Sequence, residues 1–201
     1  MKASLYVFFG LPGTGKTALS QRLAMQIEAA LLRIDTIEQG LRDLCGIVVE
    51  GEGYRLAYRI AADNLRMGVS VVADSCNPIE VTRSEWEMVG RDAQARCVNI
   101  EVICTDALEH RRRVESRKPS VPGIVLPTWE DVLGREYHAW TRERIVIDTA
   151  RKTENECFEE LFSKLNSLAA EQEKKCGRPG AKRRVVCIPR LNEAAGEASD
   201  S

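Results

Sequence analysis

Short apolar segments alternate with longer segments of helical periodicity along most of the chain. The first apolar run covers residues 4–9, and Leu19, Leu23 and Ile27 then recur every four residues. Apolar runs of this length are typical of buried strands, and a spacing of three to four is typical of amphipathic helices. Further strand-like runs cover residues 31–34, 69–73, 97–104 and 145–147. The alternation predicts a three-layer α/β fold, in which a five-stranded parallel sheet carries helices on both faces.

The loop between the first strand and the first helix matches the phosphate-loop pattern G-x-x-x-x-G-K-[ST]. Backbone N–H groups of such a loop converge on a phosphate at the positive end of the helix. Lys16 is expected to reach the β- and γ-phosphates of a nucleotide, and the Thr17 hydroxyl to ligate Mg²⁺. A Gly-rich turn without a ligand is the alternative, but the flanking strand and helix favour nucleotide binding. The loop residues that we predict to bind the nucleotide are Gly10, Leu11, Pro12, Gly13, Thr14, Gly15, Lys16 and Thr17.

Polar residues follow several predicted strands, at the edge where open parallel sheets bind their ligands. Asp35 either caps the next helix or faces the loop as a general base that accepts a proton from a substrate hydroxyl. Asp74 either holds Mg²⁺ through water or contacts the substrate. Arg42 and Asn77 are further substrate-binding candidates, although Arg42 also suits an exposed helix position and Asn77 a helix cap. Arg83, in the next helix, is another candidate for the same crevice.

An arginine-rich helix precedes a segment of Pro and Gly residues, which we predict to be a short lid over residues 118–127. Arg113 and Arg117 are four residues apart and therefore share one helix face. Arg117 is predicted to neutralise charge on the transferred phosphoryl group, and Arg113 to border the nucleotide base. The alternative is a solvated basic face that pairs with nearby glutamates. Thr149, after the last strand, is assigned to the nucleotide, and His110 is predicted to lie on the helix surface.

Composition limits the classes of function. The chain has 201 residues, of which 44% are hydrophobic and 29% charged, as in an ordinary globular domain. The net charge of −1 gives no general reason to expect nucleic-acid binding. No apolar run is long enough for a membrane span, and the first strand follows Met1 too closely for a signal peptide. Seven cysteines without C-x-x-C spacing fit thiols in a reducing cytoplasm.

The end of the chain differs in composition from the rest. The apolar stripe of the last helix fades beyond Glu171, and Gly, Pro and charged residues follow. We therefore expect one domain over residues 1–173 and a disordered tail over residues 174–201. The sequence leaves the oligomeric state open between a monomer and a homodimer.

The order of these segments resembles the small P-loop kinases that are grouped with polynucleotide 5′-kinase-like domains. Related members include chloramphenicol phosphotransferase, gluconate kinase, adenylylsulfate kinase, shikimate kinase and zeta toxins. The resemblance spans about residues 4–150 and rests on residues 10–17, 34–35, 71–78 and 110–117. It implies a P-loop NTPase fold, bound ATP and Mg²⁺, a mobile lid, and catalytic roles for Lys16, Asp35 and Arg117. The chain shows no clear signature for a sulfate, shikimate or gluconate acceptor.

Three hypotheses of function follow. The leading one is an ATP-dependent kinase that phosphorylates a hydroxyl of a small molecule, with the lid excluding water from the reaction. The second is a kinase that acts on the 5′-hydroxyl of a polynucleotide, which the acidic balance disfavours. The third is a nucleotide-dependent regulatory or binding module without efficient transfer.

Overall fold

The computed structural model describes residues 3–175 of the chain. Its strands are β1 (Ser4–Phe9), β2 (Ala30–Arg33), β3 (Val71–Asp74), β4 (Arg96–Ile103) and β5 (Ile145–Asp148). Its helices are α1 (Lys16–Gln26), α2 (Ile34–Cys45), α3 (Glu52–Arg66), α4 (Glu80–Asp92), α5 (Ala107–Ser116), α6 (Trp129–Leu133) and α7 (Glu154–Lys175). Nearly all of the predicted tail, from residue 176 to residue 201, lies outside the described residues.

The five strands form one parallel sheet in the order β2-β3-β1-β4-β5. The central strand β1 pairs with β3 on one side and with β4 on the other, so that Val7 lies beside Ala73 and Asn99. After β1, the chain forms β2 at one edge of the sheet and then β3 between β2 and β1. Strands β4 and β5 extend the sheet on the other side of β1. A crevice is expected at the carboxyl ends of the strands where the order reverses, which is where β1 ends. The predicted α/β fold, with helices on both faces of a five-stranded parallel sheet, is confirmed.

Helices cover both faces of the central strand. Leu5, Val7, Phe8 and Phe9 of β1 are fully buried, because successive side chains of a strand point to opposite faces. Leu5 and Val7 belong to a core cluster on one face that includes Trp86 of α4 and small residues of α3. The rigid core thus fixes the end of β1, from which the phosphate loop emerges.

The boundary between β2 and α2 differs from the prediction. The sequence suggested a strand through Ile34 that ends at Asp35, whereas β2 ends at Arg33 and α2 begins at Ile34. Ile34 is buried in the core cluster from the first turn of the helix, which explains its apolar character without a strand. Arg33 occupies the N-cap position, so Asp35 does not cap the helix and lies in its first turn.

The segment around the predicted lid has little regular structure. Helix α5 ends at Ser116, since Arg117 adopts an extended backbone ahead of Pro119. Residues 117–128 contain neither helix nor strand. Helix α6 ends at Leu133, and residues 134–144 are irregular. Arg83 of α4 and Glu101 of β4 hold this irregular segment, since Arg83 donates to the carbonyl oxygens of His138 and Ala139, and Glu101 accepts hydrogen bonds from Tyr137 and Arg144.

The chain divides into a unit of residues 1–165 and a second unit that starts at residue 166. The first unit contains the whole sheet and the phosphate loop. The described part of the second unit is the end of α7. None of the helices within residues 3–175 combines the length and the apolar character that a membrane crossing requires.

Candidate functional site

The phosphate loop packs so closely on the sheet and on α5 that two of its positions require glycine. Gly10 has a φ of 135°, and a Cβ atom there would lie 2.1 Å from the carbonyl oxygen of Val102 in β4. Gly13 has a φ of 85°, and a Cβ atom there would lie 2.6 Å from a methyl group of Val114 in α5. At both positions the backbone conformation is one that residues with a side chain rarely adopt, and there is no room for a Cβ atom.

The lysine of the loop is buried and bonded within the loop. The Nζ atom of Lys16 donates a hydrogen bond to the carbonyl oxygen of Leu11 at 2.8 Å, and the Thr14 hydroxyl donates to the same oxygen at 3.0 Å. Lys16 lies at the start of α1, where the backbone N–H groups of a helix end attract anions. The loop therefore has the shape and charge of a phosphate site.

Helix α5 supports the loop from behind through His110. The Nε2 atom of His110 lies 2.8 Å from the carbonyl oxygen of Pro12, and it carries the proton because a carbonyl oxygen only accepts. The ring also packs edge-to-face on Trp129 of α6, with centroids 5.2 Å apart. The prediction that His110 lies on the helix surface is wrong, since only 6% of it is exposed.

Thr149 connects the phosphate loop to α5. Its hydroxyl donates toward the carbonyl oxygens of Thr14 at 2.9 Å and Ile103 at 3.0 Å. Arg113 donates to the hydroxyl of Thr149 at 2.7 Å and to its carbonyl oxygen at 2.9 Å, and pairs with Glu109 at 2.6 Å. The two residues predicted at the nucleotide thus bond to each other. Arg113 also lines the cleft described next, whereas the buried Thr149 does not.

A cleft of about 970 Å³ lies between the phosphate loop and α2. Gly13, Gly15, Lys16 and Thr17 line one wall. Asp35, Glu38, Gln39 and Arg42 line the other wall, because their spacing places them on one face of α2. Residues 116–117 at the end of α5 also line the cleft, as do residues 118, 120–121 and 123–127 of the predicted lid segment. The structure thereby brings together Lys16, Thr17, Asp35, Arg42, Asp74, Arg113 and Arg117 of the predicted site.

Asp74 lies at the end of β3, on the floor of the cleft. Only 6% of its side chain is exposed, and the Nε atom of Arg33 lies 3.6 Å from one of its oxygens. Burial raises the pKa of Asp74, while nearby Lys16, Thr17 and Arg33 act in the opposite direction. A buried carboxylate beside a threonine hydroxyl fits a hard cation such as Mg²⁺, which takes oxygen ligands.

The protein groups near Asp74 do not form a complete metal cage. Within residues 3–175 no group of three or more His, Cys, Asp or Glu side chains is arranged to hold a metal ion. Mg²⁺ characteristically binds through one or two protein oxygens together with water and substrate phosphates. Thr17 and Asp74 fit that arrangement as the protein part of a nucleotide-bound ion.

Arg117 enters the cleft from the lid segment without a partner. Its Nε and Nη2 atoms are buried and make no hydrogen bond. Burial lowers the pKa of Arg117, whereas the proximity of Cys76 and Asp35 raises it. The lid also contacts the opposite wall, since Arg33 donates to the hydroxyl of Ser120 at 2.8 Å.

Two predicted candidates lie behind the cleft. Asn77 is fully buried and does not line the cleft, and its side-chain amide has no hydrogen-bond partner. Arg83 is also buried, and it donates to the carbonyl oxygens of Asn77, Pro78, His138 and Ala139. Its guanidinium packs over the ring of Trp140 at 4.5 Å. Arg83 therefore holds the irregular segment after α6 against the β3–α4 turn.

Several residues that line the cleft were not predicted as site residues from the sequence. Glu38 and Gln39 follow Asp35 at helical spacing, which was a usable signal once Asp35 had been placed in a helix. Arg33 and Arg135 had no such signal, since only the tertiary fold brings them to the cleft. Cys76 closely follows the predicted strand end at Asp74, so its place beside the site was expected from the sequence.

The sheet order and the phosphate loop define the class of the protein, which is a P-loop NTPase with a kinase-like fold. The chain belongs to the AAA domain family AAA_33, whose model matches residues 5–134. No curated protein matches the chain significantly.

Solved structures of P-loop kinases share the fold at low identity. The gluconokinase of Sinorhizobium meliloti 1021 is 15% identical with a TM-score of 0.62, over 87% of this chain and 97% of that chain. The APS kinase CysC of Mycobacterium tuberculosis, in complex with AMPPNP and APS, is 17% identical with a TM-score of 0.61, over 82% and 98%. Chaetomium thermophilum Kti12, in complex with ADP-AlF3, is 18% identical with a TM-score of 0.58, over 79% and 97%. These similarities confirm the predicted fold and the resemblance to P-loop kinases.

Proposed function

We propose that the chain is an ATP- and Mg²⁺-dependent phosphotransferase that moves the γ-phosphate of ATP to a hydroxyl of a small molecule. The observation that carries this proposal is the position of Asp35 on the wall opposite the phosphate loop, within one cleft. Transfer to a hydroxyl needs a loop that binds the donor phosphates and a group that orients or deprotonates the acceptor. The kinases among the structural neighbours support the same class of reaction.

The donor wall binds the nucleotide. On nucleotide binding, Lys16 exchanges its bond to the Leu11 carbonyl oxygen for bonds to the β- and γ-phosphates. Thr17 and Asp74 would hold Mg²⁺, which neutralises charge on the phosphate oxygens when bound. Arg113 borders the nucleotide from α5, and its bonds to Thr149 keep it in place.

The acceptor wall supplies the chemistry at the hydroxyl. Asp35 accepts the hydroxyl proton while the hydroxyl oxygen attacks the γ-phosphorus. The bond between the γ-phosphorus and the oxygen that bridges to the β-phosphate breaks, and ADP leaves. Arg117 stabilises the charge on the group in transfer, and the lid over residues 118–127 excludes water.

The test separates nucleotide binding from chemistry. ADP release is screened against hydroxyl-bearing metabolites, antibiotics and 5′-hydroxyl oligonucleotides, and ATP affinity is measured by calorimetry. With an active acceptor, Asp35→Asn is expected to lower kcat about 10²–10⁴-fold and to leave ATP affinity nearly unchanged. Lys16→Ala is expected to abolish ATP binding. Asp63→Asn, an exposed carboxylate of α3, is the matched control and retains activity.

Other outcomes would favour the competing functions. Full activity of Asp35→Asn would refute its role as the base. ADP release that only oligonucleotides stimulate would identify a polynucleotide kinase. In a binding module, Lys16→Ala would abolish ATP binding and the partner interaction, and Asp35→Asn would change neither. We further propose one catalytic domain over residues 1–173, located in the cytoplasm, where free thiols such as the buried Cys157 remain reduced.

A further inference from the structure

The cleft is far more basic than the chain as a whole. It is lined by seven basic side chains and three acidic ones, an excess of four positive charges. The basic residues are Lys16, Arg33, Arg42, Arg113, Arg117, Lys118 and Arg135, and the acidic ones are Asp35, Glu38 and Asp74. The net charge of the whole chain is −1, so the residues outside the cleft sum to −5. Mg·ATP carries a charge of about −2, so positive charge remains in the cleft after the nucleotide binds.

Three of the basic residues are already neutralised by carboxylates. Arg33 lies 3.6 Å from Asp74, and Arg42 pairs with Glu38 at 3.3 Å. Arg113 pairs with Glu109 at 2.6 Å. The excess charge therefore lies on the remaining cations, of which Lys16 is proposed to bind the donor phosphates and Arg117 to stabilise the phosphoryl group in transfer.

Arg135 is a remaining cation on the acceptor side of the cleft. Among the residues that the structure describes, its side chain makes no hydrogen bond and no ion pair. The positive charge of Arg135 is close enough to lower the pKa of Arg117. It is also close enough to Glu38 to act against the rise in the pKa of that carboxyl that burial causes. Arg135 thus lines the same cleft as Arg117 and Glu38 and lies near both of them.

The backbone that carries Arg135 is anchored on both sides. On one side, Thr128 and Asp131 form a reciprocal capping box at the start of α6. On the other side, Arg83 binds the carbonyl oxygens of His138 and Ala139. The anchored backbone limits the main-chain freedom that would be lost when the Arg135 guanidinium binds an anion.

We propose that the acceptor carries a phosphate or carboxylate group in addition to its hydroxyl, and that Arg135 binds this group. The proposal rests on the phosphotransferase function proposed above. Arg117 and Arg135 both line the cleft, and their positive charges repel each other. Neither guanidinium forms an ion pair within residues 3–175, so an anion bound between them would stabilise both charges. The acidic surface outside the cleft favours a small anionic acceptor over a long polyanion, which needs a basic surface beyond the site.

The first experiment uses inorganic phosphate as the probe, so it does not depend on knowing the acceptor. Calorimetry measures phosphate binding to the protein saturated with Mg·AMPPNP, with acetate as a separate arm for carboxylate recognition. R135Q, at an exposed position, is expected to weaken binding of the preferred anion about tenfold and to leave the affinity for AMPPNP unchanged. R135K restores part of the affinity because it keeps the charge. R66Q, an exposed arginine of α3, binds the anion as the wild-type protein does.

The second experiment compares acceptors in matched sets. Each set contains a neutral polyol, its phosphate monoester and its carboxylic acid, and ADP release is the readout. An anionic member is expected to have a kcat/KM about tenfold or more above that of the neutral member, and R135Q removes this preference through KM.

Three results would overturn the proposal: anion binding that is unchanged in R135Q, a loss of AMPPNP affinity in R135Q, or preference for the neutral acceptor. A 5′-hydroxyl oligonucleotide that binds through Arg135 more tightly than phosphate would assign the site to a polynucleotide instead. If phosphate binds through Arg135 while no acceptor stimulates ADP release, the anion site stands and the phosphotransferase function fails.

Discussion

The two walls of the cleft are built in different ways. On the donor wall, polar groups are paired within the protein: Lys16 binds the Leu11 carbonyl oxygen, and His110 binds that of Pro12. On the acceptor side, Arg117 and Arg135 have no partner among residues 3–175, and Asp35 is exposed. The donor wall is complete as it stands, whereas the acceptor side carries charges that a ligand would neutralise.

The contrast between the two walls indicates which of them determines substrate specificity. A packed loop tolerates few substitutions and binds one kind of group, the phosphates that all nucleoside triphosphates share. Unpaired charges cost stability in the free protein, and that cost is recovered when an anion binds. Under the proposed function, the donor wall would define the class of reaction, and the acceptor side would determine which molecule reacts.

The largest expected effect contrasts a glycine of each wall. Gly10→Ala forces a methyl group to within 2.1 Å of the Val102 carbonyl oxygen at a φ of 135°, so we expect a loss of about 4 kcal/mol or more, or insoluble protein. Gly40→Ala, in α2, meets no atom within 4 Å and should stabilise the helix by up to about 1 kcal/mol. Urea unfolding checks both, and a soluble, ATP-binding Gly10→Ala protein would contradict the packing of the loop.

Two arginines of α5 and the lid provide the second contrast. Arg117→Gln removes an unpaired cation, so kcat is expected to fall about 10²-fold with no loss of stability. Arg113→Gln breaks bonds to Thr149 and Glu109, so the free energy of unfolding is expected to fall by about 2 kcal/mol while kcat changes little. Steady-state kinetics measures kcat of both variants, and urea unfolding measures their free energies of unfolding. A stability loss in Arg117→Gln and a kcat loss in Arg113→Gln would reverse the assignment of the two residues.

The sequence was most informative about the donor wall and the sheet. The glycines, Lys16 and Thr17 of the loop are contiguous, and the strands are apolar runs, so local patterns were sufficient. The order of the elements then required a parallel sheet, and the end of β1 became the expected site.

Local sequence patterns could not predict the contacts between segments that are far apart in the sequence. The bond from His110 to Pro12 joins residues 98 apart, and no periodicity in α5 indicates it. The sequence made Arg83 a candidate for the crevice, but it is buried behind the cleft, where it donates to the carbonyl oxygens of residues 138 and 139. The extent of α2 was misjudged because Ile34 is apolar in either a strand or a buried first turn.

A smaller effect is expected where the donor wall is connected to α5. Thr149→Val removes the hydroxyl that links the Thr14 carbonyl oxygen to Arg113, so the loop loses support without losing a phosphate ligand. ATP affinity is expected to fall about fivefold, which is about 1 kcal/mol. Thr153→Val, at the exposed start of α7, is the matched control and should bind ATP normally. Calorimetry measures both affinities, and an unchanged value for Thr149→Val would show that the loop is rigid without this bond.

The smallest effect concerns the buried carboxylate of the donor wall. Because burial raises the pKa of Asp74, the ionised form is less stable in the folded chain than in the unfolded chain. The stability of the wild-type protein is therefore expected to fall as pH rises from the ordinary Asp value of about 4 through the raised pKa. Asp74→Asn has no charge to bury, so without nucleotide or Mg²⁺ it should be more stable above that range by about 0.5–1 kcal/mol.

The corresponding change on the acceptor wall, Asp35→Asn, is expected to have no such stability effect, because Asp35 is exposed. Urea unfolding at pH 4 and pH 8 separates the cases: the Asp74→Asn advantage should be present at pH 8 and small at pH 4. If Asp74→Asn is instead less stable at pH 8, the attraction of Asp74 to Lys16 and Arg33 outweighs its burial. The donor wall would then be stabilised by its own ion pairs, and a metal ion would not be needed to offset a buried charge there.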